Sequence, residues 1–395
     1  MRDQIADDRP SNREIHLAKT NPRQRAWLEV SASAIEANAR ALKRHLAPSC
    51  ELMAVVKADG YGHGAETVAK ASLRGGATSF GVATLQEGID LRNAGLNEPV
   101  LVLGHLSQPE DLRACLQWQL MPTLSSMREA LLCQNLADSS GRPFAVQLKI
   151  DTGMTRLGCD WQDGSRLADA IQQLDQLTLS GIYSHLALAD GERDGEAARF
   201  TKLQEERFNC ITRELNNSST KVKRHLANSA GTLRDSNLHH DLVRVGLALY
   251  GHSPSQHLDS IVELEPAISV KARVSLIRDV PSGIGVSYGH RFVTQRPSRL
   301  AVVSIGYADG VSRCLSGRIH ALHDGHVLPQ VGAITMDQLT LDATEHRTLE
   351  SGDVVTLLGR DGEHTISPRS WAELANSIPW EVLCSFKHRL PRLVI

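Results

Sequence analysis

Ala54-Val55-Val56-Lys57-Ala58-Asp59-Gly60-Tyr61-Gly62-His63-Gly64 joins an apolar run to a lysine, then to a turn broken by three glycines. A helical pattern follows through Arg74. The spacing predicts a buried strand whose C-terminal end presents one amine to the crevice where α/β proteins hold ligands. Desolvation at such a position favours the neutral amine, which can attack a carbonyl and form a Schiff base. A lysine snorkelling from a strand end is the alternative for this residue taken alone.

Outward from this stretch, short apolar runs alternate with helical patterns. The runs are Leu52–Val56, Ser79–Ala83, Val100–Gly104, Met121–Leu124, Phe144–Ile150, Leu177–Ser184, Arg224–Ala227 and Leu242–Tyr250. Helical spacing recurs in Glu87–Asn93, Pro109–Gln117, Trp161–Leu174 and Glu196–Asn216. The alternation predicts a parallel sheet with crossover helices: a small (β/α)8 TIM-like barrel, or an open doubly wound sheet. The open sheet lacks a G-x-G-x-x-G opening its first helix. After Ser260 the period becomes two, as in Ile268, Val270, Ala272, Val274 and Leu276, which predicts a C-terminal mostly-β domain. Further strands are expected at Leu300–Ile305, Val327–Gly332, Gln338–Leu341 and Val354–Leu358, and a helix from Pro368 to about Ser377. Trp27–Val30 is another strand and Ala34–Leu46 a helix.

Composition narrows the function. The 395 residues carry a net charge of −2, too little to attract nucleic acid or an anionic membrane. Seven scattered cysteines without a C-x-x-C pair suit a reducing cytoplasm better than a disulfide framework. No apolar run approaches the ~20 residues of a membrane span. Residues 1–24 are polar, lack a secretory h-region and are expected to be a disordered extension.

Unusual polar residues fall where barrel strands should end: Lys57, then Lys149, Asp151 and Arg156, then His185, Asn228-Ser229 and Arg244. Loops vary at that rim while the barrel holds it still, so catalytic groups gather there. Lys149 lies on the face opposite Val146, Leu148 and Ile150, so it needs a partner or a chemical change; a salt bridge with Asp151 is the simpler reading. Gly283–Gly289 is a glycine-rich loop presenting Tyr288, or an ordinary hairpin. In Gly306-Tyr307-Ala308-Asp309-Gly310, turn residues bracket an aromatic. His320, His323 and His326 flank a two-residue turn that should splay them, so no metal site is expected. His239-His240-Asp241 suggests a solvated loop.

Together these segments resemble the alanine racemase family, whose members use pyridoxal phosphate. The matching stretches are Ala54–Gly64, Lys149–Gly158, Ser184-His185, Ala227–Ser229, Val243–Gly246, Val286–Gly289, Ile305–Gly310 and Thr335-Met336-Asp337-Gln338, in family order after Arg25. The resemblance implies a pyridoxal-phosphate-binding barrel over 25–260 and a β-rich domain over 261–395, with the strand at 26–31 packing in the latter. It implies a cytoplasmic head-to-tail homodimer with shared sites, racemising alanine by two bases, Lys57 and the partner's Tyr288. In a bacterium the D-alanine would supply peptidoglycan. Lys57 would carry the cofactor. Tyr61, Ser229 and backbone near Gly246 and Leu247 would hold its phosphate, beside Asn228. Arg244, supported by His185, would face the pyridine nitrogen. Arg156 would contact the cofactor ring oxygen and the substrate side, and the N–H of the partner's Met336 would meet the substrate carboxylate. Lys149 matches a position often carried as a carbamate; Tyr307 and Asp337 would support the site.

One departure stands out. Trp380 precedes Glu381-Val382-Leu383-Cys384 where the family usually has a tyrosine that touches the phosphate. An indole donates one hydrogen bond and accepts none. Three rivals use similar parts: a non-enzymatic cofactor carrier, which resembles the barrel alone; a barrel decarboxylase, whose Gly-Pro-x-Cys motif is missing; and a cofactor-free Schiff-base aldolase.

Overall fold

The computed structural model describes residues 24–214 and 222–395, so the expected extension falls almost wholly outside the described residues. The chain divides into two compact units, Ser31–Ala267 and a second that combines Val30 and the residues before it with Ile268–Ile395.

Eight parallel strands build the first unit. In spatial order they are Leu242–Val245, Glu51–Val55, Ser79–Val82, Val100–His105, Met121–Leu124, Phe144–Asp151, Leu177–Tyr183 and Lys223–His225. Two backbone bonds close the ring: Asp241 N–H donates to Arg224 O and Arg244 N–H to Ala227 O, both 3.0 Å. A barrel therefore forms, not an open sheet. Its interior packs Met53, Leu101, Tyr183 and Leu242 from four different strands.

Helices return the chain, and their starts follow capping chemistry. Ser31 Oγ accepts from Ala34 N–H at 3.1 Å ahead of helix Ala32–His45, which ends in Lys43, Arg44 and His45 beside the negative end of its dipole. Thr84 and Glu87 form a capping box on helix Leu85–Asn93. Helix Met127–Ser140 escaped the pattern reading, because its buried face is Glu129, Ala130, Cys133 and Ala137 while Leu131 is exposed. The run Leu242–Tyr250 is a strand only to Val245 and continues as a 3-10 turn, Leu247–Tyr250.

The barrel unit extends past the expected boundary at 260. Asn38 donates to Glu265 O at 2.8 Å and accepts from Glu265 N–H at 2.7 Å, which holds that segment on helix Ala32–His45.

In the second unit, Ile268–Val280, Ser298–Val303, Leu339–Asp342, His326–Val331, His320–His323 and Val354–Asp361 pair in that order. The last pairs back onto the first, which closes the ring. Ala26–Val30 adds antiparallel to Ile268–Val280, with Arg392–Val394 outside it. Helices Pro368–Ala375 and Pro379–Ser385 follow, with Trp371 and Phe386 buried. Among the described residues no helix is long and apolar enough to cross a membrane.

Two local expectations are corrected. His239-His240-Asp241 is packed, not solvated: His239 is buried with its Nε2 2.8 Å from Thr232 O, and Asp241 pairs with Arg224 at 2.8 Å. His323 and His326 pair across their turn without splaying. His323 Nδ1 lies 2.8 Å from His346 Nε2, and the His326 ring stacks on His346 with centroids 4.1 Å apart.

Candidate active site

The C-terminal ends of the barrel strands gather cations. Lys57 starts the short helical turn that follows Glu51–Val55. Beyond it the backbone is left-handed over five residues: Ala58, Asp59, Gly60, Tyr61 and Gly62 have φ of 53°, 52°, 60°, 51° and 82°. Only the two glycines adopt this without a Cβ penalty. Acceptors hold the turn: Glu87 Oε1 takes the Ala58 N–H at 2.7 Å, and Asp59 Oδ1 takes the Ala65 N–H at 2.9 Å.

Lys149 is buried inside the barrel. It does not pair with Asp151, whose Oδ1 instead accepts from Gly153 and Thr155 N–H at 2.9 and 3.0 Å. Burial, then the charges of Arg244 and Arg156, lower its ammonium to a pKa of about 7. Its Nζ sits 5.1 Å from the centre of the Tyr183 ring. Arg156 is exposed and donates no hydrogen bond to a described residue.

Arg244 is buried with no carboxylate against it, and desolvation brings it down to about 10, still charged at neutral pH. Five acceptors replace a counter-ion. Nη1 donates to His225 Nδ1 and His225 O, both at 3.0 Å. Nη2 donates to Ser184 O, His185 Nδ1 and Leu226 O at 2.6, 3.1 and 3.2 Å. Its Nε–H donates to no described residue. Because both histidines accept on Nδ1, each carries its proton on Nε2, and the His225 Nε2–H donates to Gln147 Oε1 at 2.9 Å. Burial, then Arg244, push both imidazoles well below their ordinary pKa.

A small cradle lies beside these groups. Ser229 Oγ accepts from Gly246 N–H at 3.0 Å and Ala248 N–H at 3.4 Å. A Cβ at Gly246 would stand 2.5 Å from the Tyr61 hydroxyl oxygen, so only glycine lets that hydroxyl come this close to the backbone. Leu247 is fully buried. Asn228 caps the next helix: its Oδ1 accepts from Gly231 N–H at 3.0 Å and its Nδ2 donates to Leu186 O at 3.2 Å. Its side chain is thus committed to the fold.

The second unit carries its own group of expected residues. Tyr288, Tyr307, Met336 and Asp337 line one cleft of about 970 Å³. Tyr288 is 74% exposed and Met336 52%. Tyr307 N–H donates to Thr335 O at 2.9 Å and Ala308 N–H to Met336 O at 3.0 Å, locking the two loops together. Trp380 is half-buried in the first turn of Pro379–Ser385.

Sequence reasoning missed the layer beneath the cations. Tyr183 stacks on His225 with centroids 4.8 Å apart, and its hydroxyl meets Thr123 Oγ1 at 2.7 Å. Lys149 and Arg244 both stand about 5 Å above its ring, a cation–π arrangement. The available signal was Gln147 two residues before Lys149, a second polar residue on the same strand face.

Comparison with known proteins agrees with this arrangement. Residues 30–254 match the alanine racemase N-terminal domain and 267–394 the C-terminal domain. An alanine racemase of Prochlorococcus marinus is 60% identical over 96% of this chain and 98% of its own length. A crystal structure of alanine racemase from D-cycloserine-producing Streptomyces lavendulae superposes with a TM-score of 0.87 at 36% identity, covering 94% of this chain and 97% of that one. That of the Bartonella henselae enzyme, with covalently bound pyridoxal phosphate, gives 0.83 at 33% identity, covering 94% and 100%. A barrel with cations at its strand ends, joined in one chain to a β unit with a tyrosine cleft, is similar to these enzymes over nearly its full length, and the chain belongs to the alanine racemase family.

Proposed function

We propose that the protein interconverts L- and D-alanine using pyridoxal phosphate carried by Lys57, with Lys57 of one copy and Tyr288 of a second as the two bases. The residues present fit that cofactor. Ser229 Oγ, the Gly246 backbone and the Tyr61 hydroxyl lie together in one cradle, a set of short polar groups that would hold a phosphate. The cations Lys57, Arg156 and Arg244 suit a group that brings several negative charges. Asn228 and Leu247 shape the cradle through the helix cap and backbone.

Arg244 carries the reading. When bound, pyridoxal phosphate supplies the electron sink that makes the α-hydrogen of alanine removable. Arg244 presents Nε–H as its remaining donor and keeps its own proton, so it leaves the pyridine nitrogen unprotonated. It thereby restrains the sink, which favours prompt return of the proton over side reactions such as transamination. His185 and His225 hold Arg244 by accepting from it. A base fixed on one face cannot return a proton to the other, so racemisation calls for two. Lys57 serves the D enantiomer and Tyr288 the L enantiomer. Arg156 of one copy and the Met336 N–H of the second would receive the substrate side, with Tyr307 and Asp337 of that second copy bracing its cleft.

Lys149 extends this reading. A neutral amine adds carbon dioxide: nitrogen bonds to carbon, a proton leaves, and a carbamate of charge −1 remains. Its lowered pKa makes the neutral amine abundant near pH 7, and the product would hold Arg156 by paired hydrogen bonds. Intact-protein mass spectrometry that shows no added carbon dioxide on Lys149 under bicarbonate would refute this step.

The two-copy site has a direct test. Lys57→Ala and Tyr288→Phe should each be nearly inactive, yet a re-equilibrated mixture should recover up to about a quarter of wild-type racemase activity, one intact site per mixed dimer. A mixture that stays inactive while mixed dimers form rejects the shared site.

A further inference from the structure

The loop Gly306–Gly310 carries one side chain that faces away from solvent. The Asp309 carboxylate is fully buried in the second unit. Arg25, from the start of the described chain, grips it with both nitrogens, Nη1 to Oδ2 at 2.9 Å and Nη2 to Oδ1 at 2.5 Å, and also donates to Ser304 O at 2.8 Å. Gly306 N–H donates to Asp309 Oδ2 at 3.0 Å. Arg389 Nε lies 3.5 Å from Asp309 Oδ1, while its Nη2 donates to Asp337 Oδ1 at 2.6 Å. Two arginines thus join one buried carboxylate to two of the loops that line the Tyr288 cleft, 306–310 and 335–338.

The consequence for Met336 follows from peptide geometry. Tyr307 N–H holds the Thr335 carbonyl oxygen. That carbonyl and the Met336 N–H belong to one planar trans peptide and point in opposite directions. Whatever fixes the Gly306–Tyr307 backbone therefore fixes the bearing of the Met336 N–H. Gly306 itself lies so close that a Cβ would collide with the Thr335 and Met336 carbonyl oxygens. The contact leaves the two loops little room to slide.

We infer that Asp309, clamped by Arg25 and Arg389, is a positioning residue that sets the orientation of the Met336 N–H for the substrate carboxylate. This rests on the reading of Met336 under Proposed function. Asp309 touches no substrate; it acts through Gly306, Tyr307 and the Thr335–Met336 peptide. Bidentate geometry makes arginine the residue for this grip, and lysine cannot reproduce it.

The test uses the cofactor-loaded enzyme and the variants Asp309→Asn, Arg25→Met and Arg389→Met. Hydrogen exchange over 334–339 is measured beside steady-state kinetics in both directions. The expected result is a KM for both alanine enantiomers raised roughly tenfold in Asp309→Asn, with kcat changed less than about threefold, because ground-state binding alone is weakened. Arg25→Met should shift KM the same way by less, and Arg25→Lys should rescue only part of it. Amides in 334–339 should exchange faster in each. Unchanged KM, or a lower kcat at unchanged KM, overturns the inference, since a merely structural role reduces the active fraction. If Asp309→Asn fails to fold, the two arginine variants decide. A wild-type enzyme that does not racemise alanine defeats the functional reading by itself; unchanged exchange over 334–339 in the variants then defeats the positioning of Met336 separately.

Discussion

Glu87 carries no part of the proposed chemistry, yet the left-handed turn after Lys57 depends on it. Three non-glycine residues, Ala58, Asp59 and Tyr61, hold positive φ. At roughly 1 kcal/mol each or more, the turn costs on the order of 3 kcal/mol relative to ordinary backbone. The Glu87 carboxylate accepts Ala58 N–H and Ala83 N–H, each at 2.7 Å, and Thr84 N–H at 3.2 Å. Hydrogen bonds to a charged acceptor contribute ~1.5–3 kcal/mol each when buried, and the two exposed ones fall at or below the low end. Glu87→Ala should therefore lower the free energy of unfolding by about 3 kcal/mol. Glu87→Gln, which keeps one neutral acceptor, should lose roughly half of that. Urea melts measure the loss, and hydrogen exchange over 57–64 locates it. Because the turn aims Lys57, titration with pyridoxal phosphate followed at about 420 nm should also weaken. A change in stability below ~0.5 kcal/mol in Glu87→Ala, with titration and exchange as in wild type, would refute the view that this carboxylate holds the turn.

Other outcomes follow from the same geometry. Gly246→Ala puts a Cβ 2.5 Å from the Tyr61 hydroxyl oxygen, so cofactor affinity should fall roughly tenfold or more, with a loss of stability of about 1–3 kcal/mol; equal affinity would mean the cradle lies elsewhere. His185 and His225 are neutral in the fold, with pKa values well below the ~6.5 of an unfolded chain. Their stabilising effect is complete above that value and is lost progressively as pH falls from there toward the folded pKa. Urea melts across that range check it, and His225→Gln should flatten the slope. Arg244→Lys should weaken both stability and cofactor binding, because an ammonium cannot reach the five acceptors that the guanidinium spans.

How much of this was legible in the sequence depends on what each feature needs to be seen. Strands buried on both faces appear as unbroken apolar runs, so the barrel strands were found to within a few residues, Met121–Leu124 among them. Pairing is invisible locally. His320–His323, His364–Ile366 and Arg392–Val394 are short, and their partners make them strands. Helix Met127–Ser140 hid because small and polar residues fill its buried face. The site divides in the same way. Lys57, Lys149 and Arg244 were exposed by position, a charge at the end of an apolar run. Tyr183, Gln147 and His225 were not, since an interior layer exists only once the ring closes. Yet that layer explains the charges above it. A buried arginine normally demands a carboxylate, and a carboxylate would quench the positive end that an anionic cofactor needs. Neutral histidines, a carbonyl array and a phenol ring let Arg244 be solvated by dipoles while its charge stays available. Burial, then the unquenched charges of Arg244 and Arg156, bring Lys149 down to about 7, so the choice that keeps Arg244 available to the cofactor also opens the second lysine to chemistry as a neutral amine.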